Sequence, residues 1–376
     1  MGANGTKSTA AKRLKVAILF NEPVVGSVAG RKYITEKGEL KEVLPQHKPR
    51  VAGDTLGKQE GVDYSEIGVL EEMEDIKEAL LSLGYKPTIF NVDSDVLRLI
   101  DFLRTEKPDL IFNIVECLQN EAIHEMNVAA MYELFKIPYT GAGPLTLGLA
   151  LNKPRVKELL SYHGIRTPRF QVFGLLDRIV LNPDIPYPLI VKPSREDASV
   201  GIEDASVVYT LNDLRKRVRF IHQEFEEPAL VEEYIDGREL NAAVIGNKKP
   251  VVLPISEIDF SGLTNSMHKI VTYAAKWLQG TVEYDGTKGV CPAPLCPKME
   301  ALVKETALKC YQIIGCRDYA RVDFRLTDKG ELYVLEVNPN PDISDDAGFA
   351  RSARAAALTF PQLINKIVES ALERSS

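Results

Sequence analysis

The chain has 376 residues, with 53 acidic and 46 basic side chains and a formal net charge of −7. That length accommodates roughly two to three domains around sizeable cores. The acidic balance argues against nucleic acid as the main partner, because phosphate binding favours basic surfaces, and the lack of any run of about 18 apolar residues means that no membrane span is expected.

The first residues, MGANGTKSTAAKR, have a basic start but lack the apolar core of a secretory signal. Gly2 and Thr6 fit a short N-myristoylation pattern whose two fixed positions are readily matched by chance, and residues 1–13 read as a disordered leader. Cys117, Cys291, Cys296, Cys310 and Cys316 form no C-x-x-C pair and suit a reducing cytosol, so the cytoplasm is the expected compartment. No two histidines have zinc-ligand spacing.

Leu14 to Phe20 predicts a buried strand of an α/β domain. Asn21-Glu22-Pro23 marks a turn at its carboxyl end, where open α/β sheets place ligands. Residues 26–65 are charged, with scattered Gly and Pro, and are expected to form a flexible loop or lid. A helix over Ile67 to Leu83, a strand over Pro87 to Val92 and a helix over Ser94 to Lys107 follow. Leu110 to Val115 is a strand and Ala122 to Phe135 a helix. This alternation predicts a doubly wound parallel sheet.

Leu145 to His163 reads as one helix, Phe170 to Phe173 and Pro188 to Pro193 as strands, with a small polar loop from Ser194 to Ile202. Val207 to Tyr209 is a strand, Leu211 to Phe220 a helix and Ala229 to Ile235 a strand. Leu240 to Ile245 and Val251 to Ile255 read as an antiparallel pair, and residues 260–290 as irregular. Lys298 to Ile314 is a long helix ending near Gly315. Domain boundaries are expected near 143 and 235, giving units at 14–143, 144–235 and 236–376.

Tyr319 to Asp346 carries the chemistry. Arg321, Asp323 and Arg325 alternate with apolar residues, Thr327 to Gly330 forms a turn cluster, and Glu336 and Asn338 share one face of a second strand. Period two on both sides of a Gly/Asp turn predicts a β-hairpin. Asp323, Glu336 and Asn338 then converge, with Arg321 beside them. Two carboxylates and an amide oxygen suit a hard cation, Mg²⁺ or Mn²⁺. An Arg next to such a cation fits a site where a phosphoryl group moves. The other reading is a hairpin with solvated outer charges. Asn338-Pro339-Asn340-Pro341 stops the strand in a stiff polar loop, and a single terminal helix through about Glu373 is expected after it.

The series IPYTG, Lys153, PLIVKPSREDASVGI, VEEYIDGREL, YAAKW, ARVDF and LEVNPNP resembles the ATP-grasp superfamily, and within it the D-alanine–D-alanine ligase family. The resemblance runs from about residue 14 to the C-terminus. It implies an ATP-grasp fold, an α/β domain followed by two α+β subdomains that sandwich ATP, and a homodimer. It implies phosphate and adenine-side contacts from Lys153 and Lys192, and a loop from Glu196 to Gly201 over the phosphates, with Ser199 donating to one of them. Glu232, Tyr234 and Ile235 would form the adenine-binding hinge, Glu239 would accept from the ribose, and Lys276 would reach the terminal phosphate. Asp323, Glu336 and Asn338 would hold Mg²⁺ and Arg321 would stabilise the transferring phosphoryl group. The implied reaction activates a carboxylate as an acylphosphate, which an amine attacks to form an amide.

The chain departs from the family pattern where substrates bind. Asp197 and Ala198 replace Gly and Ser in the phosphate loop. The first strand leads to Glu22, the candidate substrate contact in place of the family's Val-Ser segment whose Glu holds the first substrate's ammonium, and Glu116-Cys117 stands where the family has His-Gly; Glu116 reads either as a substrate contact or as a capped strand end. Asp342, Asp345 and Asp346 crowd the region of the second substrate around Ser344, where Ala347 replaces a carboxylate-binding hydroxyl. These acidic groups repel an amino acid's carboxylate, which points to a cationic or carboxylate-poor amine; alternatively they cap the terminal helix. An authentic D-alanine–D-alanine ligase, another peptide-forming or carboxylate–amine ligase, and an ATP-binding regulatory protein without turnover remain open at this point.

Overall fold

The computed structural model describes residues 14–21, 24–27, 30–34, 40–43, 64–119, 121–345 and 347–375. Glu22, Asp346, Gly2, Thr6 and the leader expected over 1–13 lie outside them.

The first unit contains β1 (Lys15–Phe20), β2 (Val24–Ser27), β3 (Gly30–Ile34), β4 (Leu40–Val43), α1 (Tyr64–Ser82), β5 (Lys86–Asn91), α2 (Val96–Thr105), β6 (Leu110–Ile114) and α3 (Glu125–Leu134). β1 lies between β5 and β6, all parallel, and Tyr139 extends the sheet through a parallel bridge to Ile111. Alternate residues of β1 enter different cores: Val16, Ile18 and Phe20 pack with α1, while Ala17 and Leu19 pack with α2 and α3. Helices therefore cover both faces, the doubly wound arrangement expected from the alternation. The 26–65 stretch corrects the loop reading in part, since β2, β3 and β4 form an antiparallel sheet. Val24-Val25 and Tyr33-Ile34 have the branched and aromatic side chains that strands favour.

α4 (Pro144–Leu151) and α5 (Lys153–Tyr162) replace the single helix expected over 145–163. Pro154 has no N–H to continue the ladder, and Asn152 turns out of helical geometry to accept from Arg155 N at 3.3 Å. Next come β7 (Phe170–Phe173), β8 (Leu189–Pro193), β9 (Val207–Val208), α6 (Leu211–Glu224) and β10 (Ala229–Glu233). Their antiparallel sheet has the order β7-β10-β8-β9. Leu214, Val218 and Ile221 of α6 cover one face.

The remaining elements are β11 (Arg238–Ile245), β12 (Val251–Val252), β13 (Ser256–Asp259), α7 (Tyr273–Trp277), α8 (Val282–Gly286), β14 (Lys288–Val290), α9 (Pro297–Ile314), β15 (Tyr319–Leu326), β16 (Leu332–Asn338), α10 (Gly348–Ala355) and α11 (Phe360–Ser375). The larger sheet has the order β14-β13-β11-β15-β16, with β12 on β11. Residues 260–290 are thus not irregular throughout: Thr272 and Thr281 cap two short helices, accepting from Ala275 N at 3.0 Å and Tyr284 N at 3.2 Å. The terminal helix is two helices. Thr359 and Gln362 exchange hydrogen bonds of 2.9 and 3.4 Å, a capping box that restarts the chain as α11.

α11 does not stay with its neighbours in sequence. Leu363, Ile364, Ile367, Val368 and Ala371 share one core with β1 and α1, and this core also takes Ala243, Ile245 and Tyr319 from the larger sheet. α5 packs instead on α9 and β16, through Val156 and Leu160. β1, α1, α11 and part of the larger sheet are thereby joined in one core.

Candidate active site

Val322 and Phe324 of β15 enter the core beside α9, which turns Arg321 and Asp323 to the other face. Across the hairpin Asp323 lies opposite Glu336, and Arg321 opposite Asn338. Arg321 donates two parallel bonds of 2.8 Å to the Asp323 carboxylate. Asn338 Nδ2 donates to Asp323 Oδ2 at 3.1 Å and to Glu336 Oε1 at 3.2 Å, and Asn241 Nδ2 of β11 reaches Asp323 Oδ1 at 2.7 Å. The structure brings all four expected residues together.

Lys153, from the start of α5, and Lys192, from β8, bring positive charge to Glu336. Burial alone raises the Glu336 carboxyl, but Lys153, Lys192 and Arg321 overrule it and hold the group down at about 2. Asp323 moves the other way, raised by burial and by Glu336 against the pull of Arg321. Lys153 is 7% exposed. Its ammonium donates to Glu196 O at 2.6 Å and pairs with the Asp197 carboxylate.

Residues 196–201 form a loop held in a tight left-handed path, with φ +53 at Ala198, +63 at Ser199 and +72 at Gly201. Non-glycine residues in this region cost roughly 1 kcal/mol or more each. Trp277 Nε1 donates to Ala198 O at 3.0 Å and Tyr273 N to Ile202 O at 2.9 Å, so α7 braces the loop. α7 also carries Lys276, half-buried; burial lowers its pKa, nearby Asp342 raises it and Arg321 lowers it further. Lys276 therefore joins the same charge cluster.

On the other side, Glu232 of β10 is buried between two ammoniums, Lys157 and Lys192, each 2.5 Å away. Glu232 is thus not a solvated strand-end charge. Tyr234 N donates to Pro188 O at 2.9 Å, and its ring meets His268 edge-on at 5.9 Å. Ile235 is buried. Glu239 of β11 pairs at 2.8 Å with Arg325, the residue opposite it on β15, a cross-strand pair within the larger sheet.

Beyond Arg321 lies a small acidic cavity lined by Glu72, Ile114, Glu116, Asn340, Pro341 and Asp342. Burial, with Asp342 and Glu116 nearby, raises the Glu72 carboxyl well above its usual range, although Ile343 N donates to it. Glu125 is raised too, by burial and by Glu116 and Asp197. Ser344 donates to Asp342 Oδ1 from both N and Oγ, at 2.9 and 2.7 Å. Among the described residues no carboxylate caps α10 through a hydrogen bond: Ala347 begins the helix without a side-chain cap, Asp342 accepts from Ser344, and Asp345 pairs with Arg354 at 2.7 Å.

A family model described as the D-ala D-ala ligase C-terminus matches residues 162–369, more than half of the chain. The chain belongs to the D-alanine–D-alanine ligase family. It is 32% identical over 307 residues to the D-alanine–D-alanine ligase of Carboxydothermus hydrogenoformans, covering 78% of this chain and 90% of that one. It is 33% identical over 301 residues to an uncharacterised protein of Sinorhizobium fredii, covering 79% and 86% respectively. The fold matches a crystal structure of D-alanine–D-alanine ligase from Bacillus anthracis complexed with ATP, with TM-score 0.69, 20% identity, and 96% of this chain and 98% of that one covered. The fold is therefore ATP-grasp, and by family the chain is an ATP-grasp ligase that forms carbon–nitrogen bonds and releases ADP.

In this ligase-family chain the hairpin's donor set fits a hard cation. The Asn338 amide nitrogen touches both carboxylates, which is where a cation satisfies them, and rotating the amide presents its oxygen instead. Among the described residues, no three His, Cys, Asp or Glu side chains gather as an alternative metal cluster. Sequence reasoning missed Lys157, Glu72, Glu125, Asn241 and the Trp277 brace. Lys157 had a signal: it stands four residues after Lys153, hence on the same helix face.

Proposed function

We propose that this chain is an ATP-dependent carboxylate–amine ligase that works through an acylphosphate. The observation that carries the reading is the meeting of Asp323, Glu336, Asn338 and Arg321 of the hairpin with Lys153 of α5 and Lys192 of β8. Asp323, Glu336 and Asn338 would hold Mg²⁺ or Mn²⁺, which supplies charge neutralisation between phosphates. Lys153, Lys192, Ser199 and Lys276 would bind the phosphates. Glu232, Tyr234, Ile235 and Glu239 would flank adenine and ribose, the hinge lying between the units 144–235 and 236–376.

In the first step a substrate carboxylate oxygen attacks the terminal phosphorus of ATP, and the bond to the bridging oxygen breaks to release ADP. In the second, an amine nitrogen attacks the acyl carbon, the C–O bond to phosphate breaks, and the nitrogen loses a proton. Arg321 and Lys276 would steady the charge that develops in both steps. The protein would act in the cytoplasm, as a homodimer, on small molecules.

The acceptor is a finer question. Glu116, Asp342, Glu72 and Glu125 leave the substrate end rich in carboxyls, which favours an acceptor with a positive charge over a second amino-acid carboxylate. Glu116, Asp342 and Ser344 are its candidate contacts; Glu22 lies outside the described residues. The likeness to D-alanine–D-alanine ligases favours the alternative, D-alanine in both positions. Substrate-dependent ADP release across amino acids, diamines and D-alanine tests both. Turnover with D-alanine alone as both substrates would refute the cationic acceptor.

A further inference from the structure

Lys157 is 1% exposed, more deeply enclosed than Lys192 at 9%. Its ammonium meets Glu232 Oε1 at 2.5 Å, Thr167 Oγ1 at 3.0 Å and Leu335 O at 3.1 Å. Two of its protons are donated to Thr167 and Leu335, and its contact with Glu232 is an ion pair. The partners come from β10, from the segment entering β7, and from β16. Leu335 is the residue at which β16 slips against β15 and has no partner in the ladder; Lys157 holds its carbonyl immediately before Glu336. The other oxygen of Glu232 holds Lys192 at 2.5 Å. One buried carboxylate thus carries two ammoniums, although one suffices to neutralise it.

We propose that Lys157 is a positioning residue: the permanent counter-ion of Glu232, which leaves Lys192 free to exchange that carboxylate for a nucleotide phosphate. The inference rests on the ATP reading above. Without Lys157, moving Lys192 to a phosphate strands a buried carboxylate, a strongly unfavourable state. Lys192 then stays on Glu232, and nucleotide binding suffers more than the chemical step.

The test is calorimetric titration of the full chain with ATP and Mg²⁺, alongside kcat and KM for ATP from ADP release. Lys157→Met is expected to weaken ATP binding at least about tenfold and to raise KM far more than it lowers kcat, because a buried carboxylate left with one lysine retains it. Lys157→Met/Glu232→Gln is expected to bind ATP within about threefold of Glu232→Gln alone, since the effect of Lys157 runs through that carboxylate. This second comparison holds even where Lys157→Met does not fold. ATP binding undiminished in Lys157→Met, or a tenfold gap between the double variant and Glu232→Gln, would overturn the inference alone. Failure of the unmodified protein to bind ATP would overturn the ATP reading, and this inference with it.

Discussion

The ammonium of Lys153 is already paired with the Asp197 carboxylate of the loop that lies over it. Asp197 therefore competes for a lysine proposed to bind phosphate. The carboxylate is half exposed, so the pair is worth only about 0.5–1 kcal/mol. Asp197→Asn is expected to tighten ATP binding by roughly twofold to fivefold, read by calorimetry; weaker binding would show that Asp197 helps rather than hinders.

Glu336→Gln leaves Asp323 and Arg321 paired but removes one of two carboxylates from the proposed metal site. Loss of turnover by roughly 10²-fold or more is expected, with the Mg²⁺ requirement shifted to higher concentration. ADP release measured over a Mg²⁺ series checks it; unchanged Mg²⁺ dependence would exclude Glu336 as a ligand.

The same substitution reports on acid stability. Glu336 is held at about 2, below the ordinary 4.5, despite its burial. The unfolded chain binds more protons between those values, so stability from this group is fully present above about 4.5 and disappears as pH falls toward 2. Urea unfolding of the wild-type protein and Glu336→Gln should show a gap that is constant above pH 5 and narrows below it.

At the substrate end, Asp342→Asn should lower kcat/KM for cationic acceptors relative to neutral amines by about tenfold, the scale of one partly buried charge contact. A cation entering beside Glu72 and Glu125 lowers carboxyls that burial has raised. Its binding therefore releases protons and strengthens as pH rises. Competition assays across the amine panel at two pH values check both claims.

Gly237 links the two sheets. A Cβ there would lie 2.3 Å from Leu326 O, and Arg325 Nη1 donates to the Gly237 carbonyl at 2.9 Å. Gly237→Ala must shift backbone and is expected to destabilise the chain by about 3 kcal/mol, measured by denaturant unfolding.

The hairpin was legible from residues 319–338 because strand alternation is local: apolar and charged side chains two apart must point opposite ways, whatever the rest of the chain does. A different local signal made the parallel sheet readable: LKVAILF and LIFNIV are short, nearly continuous apolar runs, as strands buried on both faces require. Local reading failed at 24–43, where charge hid short strands, and at Asn152, where the weight given to helical spacing overrode Pro154.

By itself, then, the sequence determined most of the elements, the Arg321–Asp323–Glu336–Asn338 face and the lysines whose strand or motif marked them. Only the tertiary structure decided that Lys157 is a buried counter-ion rather than a solvated helix charge, that Glu72 reaches Asp342, and that α11 closes the first sheet. Each depends on which element packs over which across long stretches of chain, and burial, not residue type, decides whether a charge must find a partner.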